Sequence, residues 1–324
     1  MHNLVCQHHL NRRDHHMKTI PMIAAGLLSM TAVASTAHAQ QLRATALGAC
    51  DKTTIAVHAS CNLSANADYN LSLGKCENDS SSSAKQKCQD NAARFLAEGT
   101  ALCTAQAKGR QSVCNGLGQA AFDPKINPAD FSSNVTNRFF PLKPGTVQVY
   151  KSGNSEVTVT VTSKTFKVAG VDCIVVHDVN RVDGEIEEDT LDYYAQDSKG
   201  NVWYFGEDTV SYQDGIADTH GSWRAGLNGA RPGIIMPAQP ALNKLGRLEF
   251  LLGEAEDMAV FIGKGETVDV PFGIFKNALK SRETTPIEPE LLEHKYYVPG
   301  IGIVLSVNVR TGEREALVDF TPGS

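Results

Sequence analysis

The chain has 324 residues, with 30 lysines and arginines against 36 aspartates and glutamates, a formal net charge of −6. An acidic balance argues against nucleic acid and anionic membranes as partners, because both need surface cations to displace counterions. The length allows one large domain, or a small module followed by a β domain.

Met17-Lys18 opens a short basic start, an apolar run follows from Ile20 to Val33, and Ala37-His38-Ala39 has the A-x-A form read by signal peptidase. Residues 1–39 are therefore expected to be a secretory signal, with Met17 as the working initiator and Gln40 as the mature N-terminus. The apolar run is short for a bilayer span, and no second long run follows, so no transmembrane segment is expected in the mature chain. No cysteine stands at the cleavage point to take a lipid. Removing Arg12, Arg13, Asp14 and Lys18 with the leader leaves 27 basic and 35 acidic residues, a net charge near −8. The expectation is an exported protein, periplasmic or extracellular.

Residues 40–118 carry Cys50, Cys61, Cys76, Cys88, Cys103 and Cys114, separated by 10, 14, 11, 14 and 10 residues. The spacing is a palindrome centred on residue 82, inside the turn-forming run Asn78-Asp79-Ser80-Ser81-Ser82-Ser83. Of the 15 pairings that six cysteines permit, a helical hairpin folded there selects Cys76–Cys88, Cys61–Cys103 and Cys50–Cys114. At about 100° per residue the three cysteines of each arm fall within an arc of roughly 80°. The first arm is rich in poor helix formers (Asn62, Ser64, Asn66, Asp68, Asn70), so covalent rungs are expected to supply stability that burial does not. The seventh mature cysteine, Cys173, sits in a strand-like apolar run and reads as a buried free thiol.

Residues 119–145, rich in Pro and Asn, are predicted to be an extended linker. From residue 146 to 324 the period becomes two. Val157, Val159 and Val161 alternate with threonines, as on an antiparallel strand with one buried face. Similar short runs continue to Glu315–Phe320, separated by turn signals. The predicted class is α+β: a disulfide-laddered helical hairpin, then an antiparallel β meander forming a half-barrel, barrel or sandwich. A Gly-rich stretch at 219–240 has neither period and is expected to be a long ordered loop or lid.

Asn137-Arg138-Phe139-Phe140-Pro141-Leu142, Gly200-Asn201-Val202-Trp203-Tyr204-Phe205-Gly206-Glu207 and Lys295-Tyr296-Tyr297-Val298-Pro299-Gly300-Ile301-Gly302 resemble a group of uncharacterised bacterial secreted proteins. The resemblance implies the order of a Cys-rich helical segment and a β domain, and implies no activity. The run from Tyr297 to Val304 also resembles the last strands of lipoprotein-carrier-like half-barrels.

Nucleophile elbows, zinc-protease helices, P-loops and EF-hand loops are missing from the sequence. What stands out is an acidic, aromatic hairpin. Pairing Gln196 with Val202 puts Asp189, Leu191, Tyr193, Trp203, Phe205 and Glu207 on one face, predicted to point inward. Glu188, Asp192, Tyr194, Tyr204 and Asp208 then share the other face. Glu188, Asp192, Glu207 and Asp208 are the candidate set for a hard cation, Ca²⁺ first, with a solvated acidic edge as the plain alternative. His220, beside Trp223, and Glu207 are the candidate catalytic groups. The leading functional expectation is a binding protein for a small, mostly apolar ligand walled by Trp203, Tyr204, Phe205 and Trp223. A metal-dependent or carboxylate-based hydrolase and an envelope interaction protein are the alternatives, and the absence of a nucleophile motif leans against an enzyme.

Overall fold

A computed structural model of the chain describes residues 47–213 and 215–323, which fall into a helical unit ending at Ala121 and a β unit starting at Phe122. The expected signal lies outside the described residues.

The helical unit is a hairpin of α1 (Ala49–Cys76) and α2 (Ser83–Leu117). Cys50–Cys114, Cys61–Cys103 and Cys76–Cys88 join the arms with Cα separations of 5.6, 5.7 and 5.8 Å, the pairs that the palindromic spacing predicts. The poor helix formers of α1 are accommodated by a side-chain ladder. Asn62, Asn66 and Asn70 each donate from Nδ2 to the carbonyl four residues back, at 2.7–2.8 Å. At the open end the Gln119 carbonyl accepts from the amide of Ala49, and its side chain donates to Asp51 at 2.8 Å. Among the described residues, no helix is long and apolar enough to cross a membrane.

The β unit contains one antiparallel sheet of sixteen strands, nearly closed into a barrel. Its first part comprises β1 (Phe131–Ser132), β2 (Val147–Ser152), β3 (Ser155–Val168), β4 (Val171–Val182), β5 (Glu185–Asp197) and β6 (Val202–Gln213). Five short strands follow: β7 (Ile216–Asp218), β8 (Trp223–Arg224), β9 (Arg231–Met236), β10 (Leu245–Arg247) and β11 (Glu249–Phe250). The rest are β12 (Met258–Val270), β13 (Gly273–Thr284), β14 (Leu292–Val298), β15 (Gly302–Asn308) and β16 (Arg314–Thr321). Strand β16 pairs with β2, joining the end of the chain to the start of the meander. On the far side, residues 245–250 serve both edges: β10 pairs with β12, and β11 pairs with β9. One short segment therefore bridges the seam, which resolves the choice among sandwich, half-barrel and barrel.

Alternation positions the interior. Val157, Val159 and Val161 are buried while Thr158, Thr160 and Thr162 are not, and β4 buries Val176, Asp178 and Asn180 in the same rhythm. Strands β3 and β12 each run continuously through irregular registers. Strand β13 has no clear sequence period and was not foreseen.

Two segmental expectations need correction. The Gly-rich stretch 219–240 is not loop throughout, since β8 and β9 both pair with β6. Its glycines permit close approach: a Cβ at Gly233 would lie 2.3 Å from the Leu248 carbonyl carbon. The segment 119–145 is not a free linker either. From Phe122 onward it belongs to the β unit, β1 pairs with β5, and Val135, Phe140 and Leu142 are buried in the main core. Asn137 ties it down, donating to the carbonyls of Gly200 and Pro237 at 3.0 and 3.2 Å.

Candidate functional site in the barrel interior

The β5–β6 hairpin has the predicted anchor, Gln196 opposite Val202, but not the predicted faces. Phe205 is bulged out of register, so Tyr194 faces Tyr204 while Tyr193 faces Gly206 and Asp192 faces Glu207. Gly206 makes the bulge possible: its φ is +143°, and a Cβ there would sit 2.3 Å from the Trp223 carbonyl oxygen. A bulge reverses side-chain parity beyond it. Asp192, Tyr194, Tyr204 and Glu207 are consequently all buried on the inner side, whereas Leu191 is exposed and Asp189 is half-exposed beside His177 at 2.8 Å. The inward assignment of Asp189 and Leu191 is thus corrected, while Glu207 reaches the interior by way of the bulge.

Within this group the Tyr204 hydroxyl lies 2.5 Å from Asp192 Oδ1 and 3.0 Å from Glu207 Oε2, donating its single proton between them. Its ring stacks on Tyr194 at 4.7 Å. Burial pushes the Asp192 carboxyl up to about 6, with Asp178 and Glu188 adding repulsion and Tyr204 opposing the rise. Burial, then the charge of Asp192, pushes Glu207 well above the usual glutamate range. Two such carboxyls favour holding a proton between them at neutral pH. Asp192 is 1% exposed, and its Oδ2 has no hydrogen-bond partner among the described residues.

The facing wall comes from β13 and β14. Lys295 Nζ is 2.9 Å from Glu283 and 3.6 Å from Glu293. Ser281 and Tyr297 both donate to Glu283, at 2.7 and 2.8 Å. Burial works against the Lys295 charge, but Glu283 and Glu293 hold its ammonium well above the ordinary lysine range. Among the described residues, the β unit buries Asp178, Asp192, Glu207, Glu249, Glu256, Glu283 and Glu293 against a single buried cation, Lys295.

Two spaces border these walls, the larger opening at the strand ends, where Asn154, Glu187 and Glu313 are exposed. One, of about 30 Å³, is bounded by Phe140, Leu142, Val159, Tyr194, Asp192 and Lys295, among others. The other, of about 230 Å³, is polar: its carboxylates are Glu187, Glu293, Glu313 and Glu315, its amides Asn154, Asn180 and Asn308. No lysine or arginine lines it. Ser306 and Glu315 belong to both walls, so the two spaces adjoin.

The other candidates are distributed elsewhere. Asp208 points away from Glu207, accepting from Arg224 Nε at 2.8 Å and from the Tyr193 hydroxyl at 2.7 Å. Glu188 accepts from Thr190 at 3.3 Å. The four carboxylates considered for a cation therefore do not converge, and among the described residues no group of three or more His, Cys, Asp or Glu is placed to hold a metal. Phe205 and Trp223 are buried, and their rings pack edge-on against Phe131 and Tyr204. Trp203 donates from Nε1 to Asp197 at 2.9 Å. None of these four aromatics borders either space, although Tyr204 lines a separate one of about 20 Å³ with Tyr194, Glu249 and Glu283. His220 is exposed, 3.2 Å from Glu254. Lys295, Tyr297 and Phe140 were missed as site residues, although each lies within a motif that carries the sequence resemblance.

No protein-family model matches the chain, and no curated protein matches it. Among solved structures it is similar to a crystal structure from Parabacteroides distasonis ATCC 8503 named "a putative lipoprotein", at 14% identity and a TM-score of 0.33. The match covers 57% of this chain and 99% of that one. A superposition this loose carries no argument about function.

Proposed function

We propose that this is an exported binding protein that holds a small molecule inside the β barrel. The observation carrying this reading is the pair of adjoining spaces lined by the neighbouring strands β14 to β16 and β2 to β5, the larger about 230 Å³. Such a space takes a small organic molecule rather than a drug-sized one. Its polar lining favours a polar ligand over the mostly apolar one expected from the sequence, with apolar contact confined to the narrow space. Three disulfides are consistent with an exported protein, and the proposal extends this to the periplasm or the extracellular medium. Native mass spectrometry of protein purified without denaturation should find a small-molecule adduct that dissociates on unfolding. Protein that is empty as isolated, and that takes up nothing from a metabolite library, would refute the reading.

A carboxylate-based hydrolase is a second reading, supported by the Asp192–Tyr204–Glu207 group with its raised carboxyls. Glu207→Gln should then abolish turnover of an ester, glycoside or peptide probe without changing its binding.

A further inference from the structure

We infer that the loop from Val135 to Leu142 is a lid on the narrow space, and that an aryl group of the ligand takes the place of Phe140 against Tyr194. The inference rests on the binding reading above and names the way in and the chemistry of the ligand's inner end.

The loop crosses one end of the barrel. Asn137 Nδ2 donates to the carbonyl of Gly200, in the β5–β6 turn, and to that of Pro237, just beyond β9, at 3.0 and 3.2 Å. The Arg138 carbonyl accepts from the amide of Gly300, in the β14–β15 turn, at 2.8 Å. These anchors stand on opposite sides of the ring of strands. They lie at the strand ends remote from those where Asn154, Glu187 and Glu313 are exposed. One end of the barrel thus opens through the polar space, and the loop covers the other.

Much of the bonding of the loop is internal. The Leu142 amide donates to the Val135 carbonyl at 3.1 Å and closes the base. The Phe140 amide donates to the Asn137 carbonyl at 3.3 Å, and the Phe139 amide to Asn137 Oδ1 at 2.9 Å. A loop closed at its base and tied to its surroundings at a few points can swing as a unit. Its inner face carries Phe140, which is 1% exposed and packs edge-on against Tyr194 with ring centroids 5.5 Å apart.

Phe140, Pro141 and Leu142 form the loop side of the narrow space. The facing side chains of Tyr150, Val157, Val159, Val176 and Tyr194 project from strands locked in ladders. At about 30 Å³ the space has room for little more than water. An organic group enters it only by moving a wall, and the loop is the wall that moves without breaking a ladder. What the loop vacates is the volume of a phenyl ring with Tyr194 beside it. An incoming aryl group restores the edge-to-face pair that Phe140 gives up, whereas a saturated ring fills the volume without that match. The polar remainder of the ligand then extends past Ser306, which the two spaces share.

The test uses benzyl alcohol, cyclohexylmethanol and glycerol as probes: an aryl ring with a hydroxyl, a saturated ring with a hydroxyl, and hydroxyls alone. Each is added at millimolar concentration to the full disulfide-bonded chain, with binding read by ligand-observed NMR and loop opening by amide hydrogen exchange at residues 138–140. Benzyl alcohol is expected to bind at least threefold more tightly than cyclohexylmethanol and to speed exchange in the loop, which glycerol should leave unchanged. Asn137→Ala frees the loop from both carbonyls and should tighten benzyl alcohol binding at least threefold, because less affinity is lost in expelling Phe140. Phe140→Ala should tighten it at least tenfold, and Asn137→Ala keeps the test decisive if that variant folds poorly. Binding to Phe140→Ala alone, with the parent and Asn137→Ala silent, would mean that the loop is a fixed wall and would overturn the lid. Equal affinities for the two ring alcohols would overturn the aryl assignment. Benzyl alcohol bound with exchange in the loop unchanged would overturn both. In each case the binding reading stands if a metabolite library yields another ligand, and it falls too if the library is blank and all three probes are silent.

Discussion

The two units of the chain solve the problem of stability in opposite ways. In the helical hairpin the side chains most fully buried are Cys76, Cys103 and Cys114, followed by Ala92, Arg110 and Thr54, while Leu63 stays 73% exposed and Leu71 57% exposed. In the β unit nearly forty hydrophobic residues form one buried cluster, and that surplus of burial carries a line of charged groups through the interior. A unit with little apolar surface to hide depends on covalent links. A unit with a large core can tolerate buried carboxylates, each of which would destabilise a smaller one.

Reduction should break the comparison most visibly. Each rung contributes about 2–4 kcal/mol, and the link closing the longest loop, Cys50–Cys114, contributes most. Treating the full chain with reductant should erase most of the helical circular dichroism. The fluorescence of Trp203 and Trp223, both in the β unit, should hardly change. Loss of both signals together would mean that the units share their stability.

Lys295→Ala attacks the other strategy. It strands Glu283 and Glu293, and breaking a buried pair from one side costs about 3–5 kcal/mol. Denaturant melts should show the loss in the β transition alone, and adding Glu283→Gln should recover part of it. A single variant within error of the parent would mean that Lys295 is not neutralising these acids.

A smaller effect is expected from pH. Asp192 and Asp257 are raised to about 6, and Glu288 to about 7, in each case with burial as the main cause. A carboxyl with a raised folded value binds its proton more tightly folded than unfolded, so its contribution is complete below about pH 4 and fades as pH rises through 4 to 7. For Asp192 the loss is on the order of 3 kcal/mol. The groups acting on it are Asp178 on β4, Glu188 on β5, and Tyr204 and Glu207 on β6, with Lys295 bordering the same space from the facing wall. The β transition should therefore melt several degrees higher at pH 5 than at pH 7.5, and Asp192→Asn should shrink that difference. The hairpin, whose acids show no such burial, should be indifferent.

The least effect is expected from His220→Ala. That ring is exposed beside Glu254, and its removal should move the melting temperature by about 1 °C or less. A larger shift would restore it as a candidate for function.

Local and periodic features were legible without the fold. The palindrome of cysteines specifies its own pairing, because a hairpin maps equal distances from one turn onto facing positions. The alternation of Val157, Val159 and Val161 marks an inner face, and the Gln196–Val202 anchor follows from loop length. The interior was not legible. The bulge at Phe205 depends on a close approach by Trp223, from another strand, and it alone brings Glu207 onto the side of Asp192. Lys295 meets Glu283 only because β13 pairs with β14, and Phe140 reaches the interior only because the segment read as a linker packs into the core. Spacing along the chain sets which residues can share a face or a turn. Which distant faces close on one another, and therefore which charges must live together out of water, is decided by closure of the sheet, a global property that no local pattern encodes.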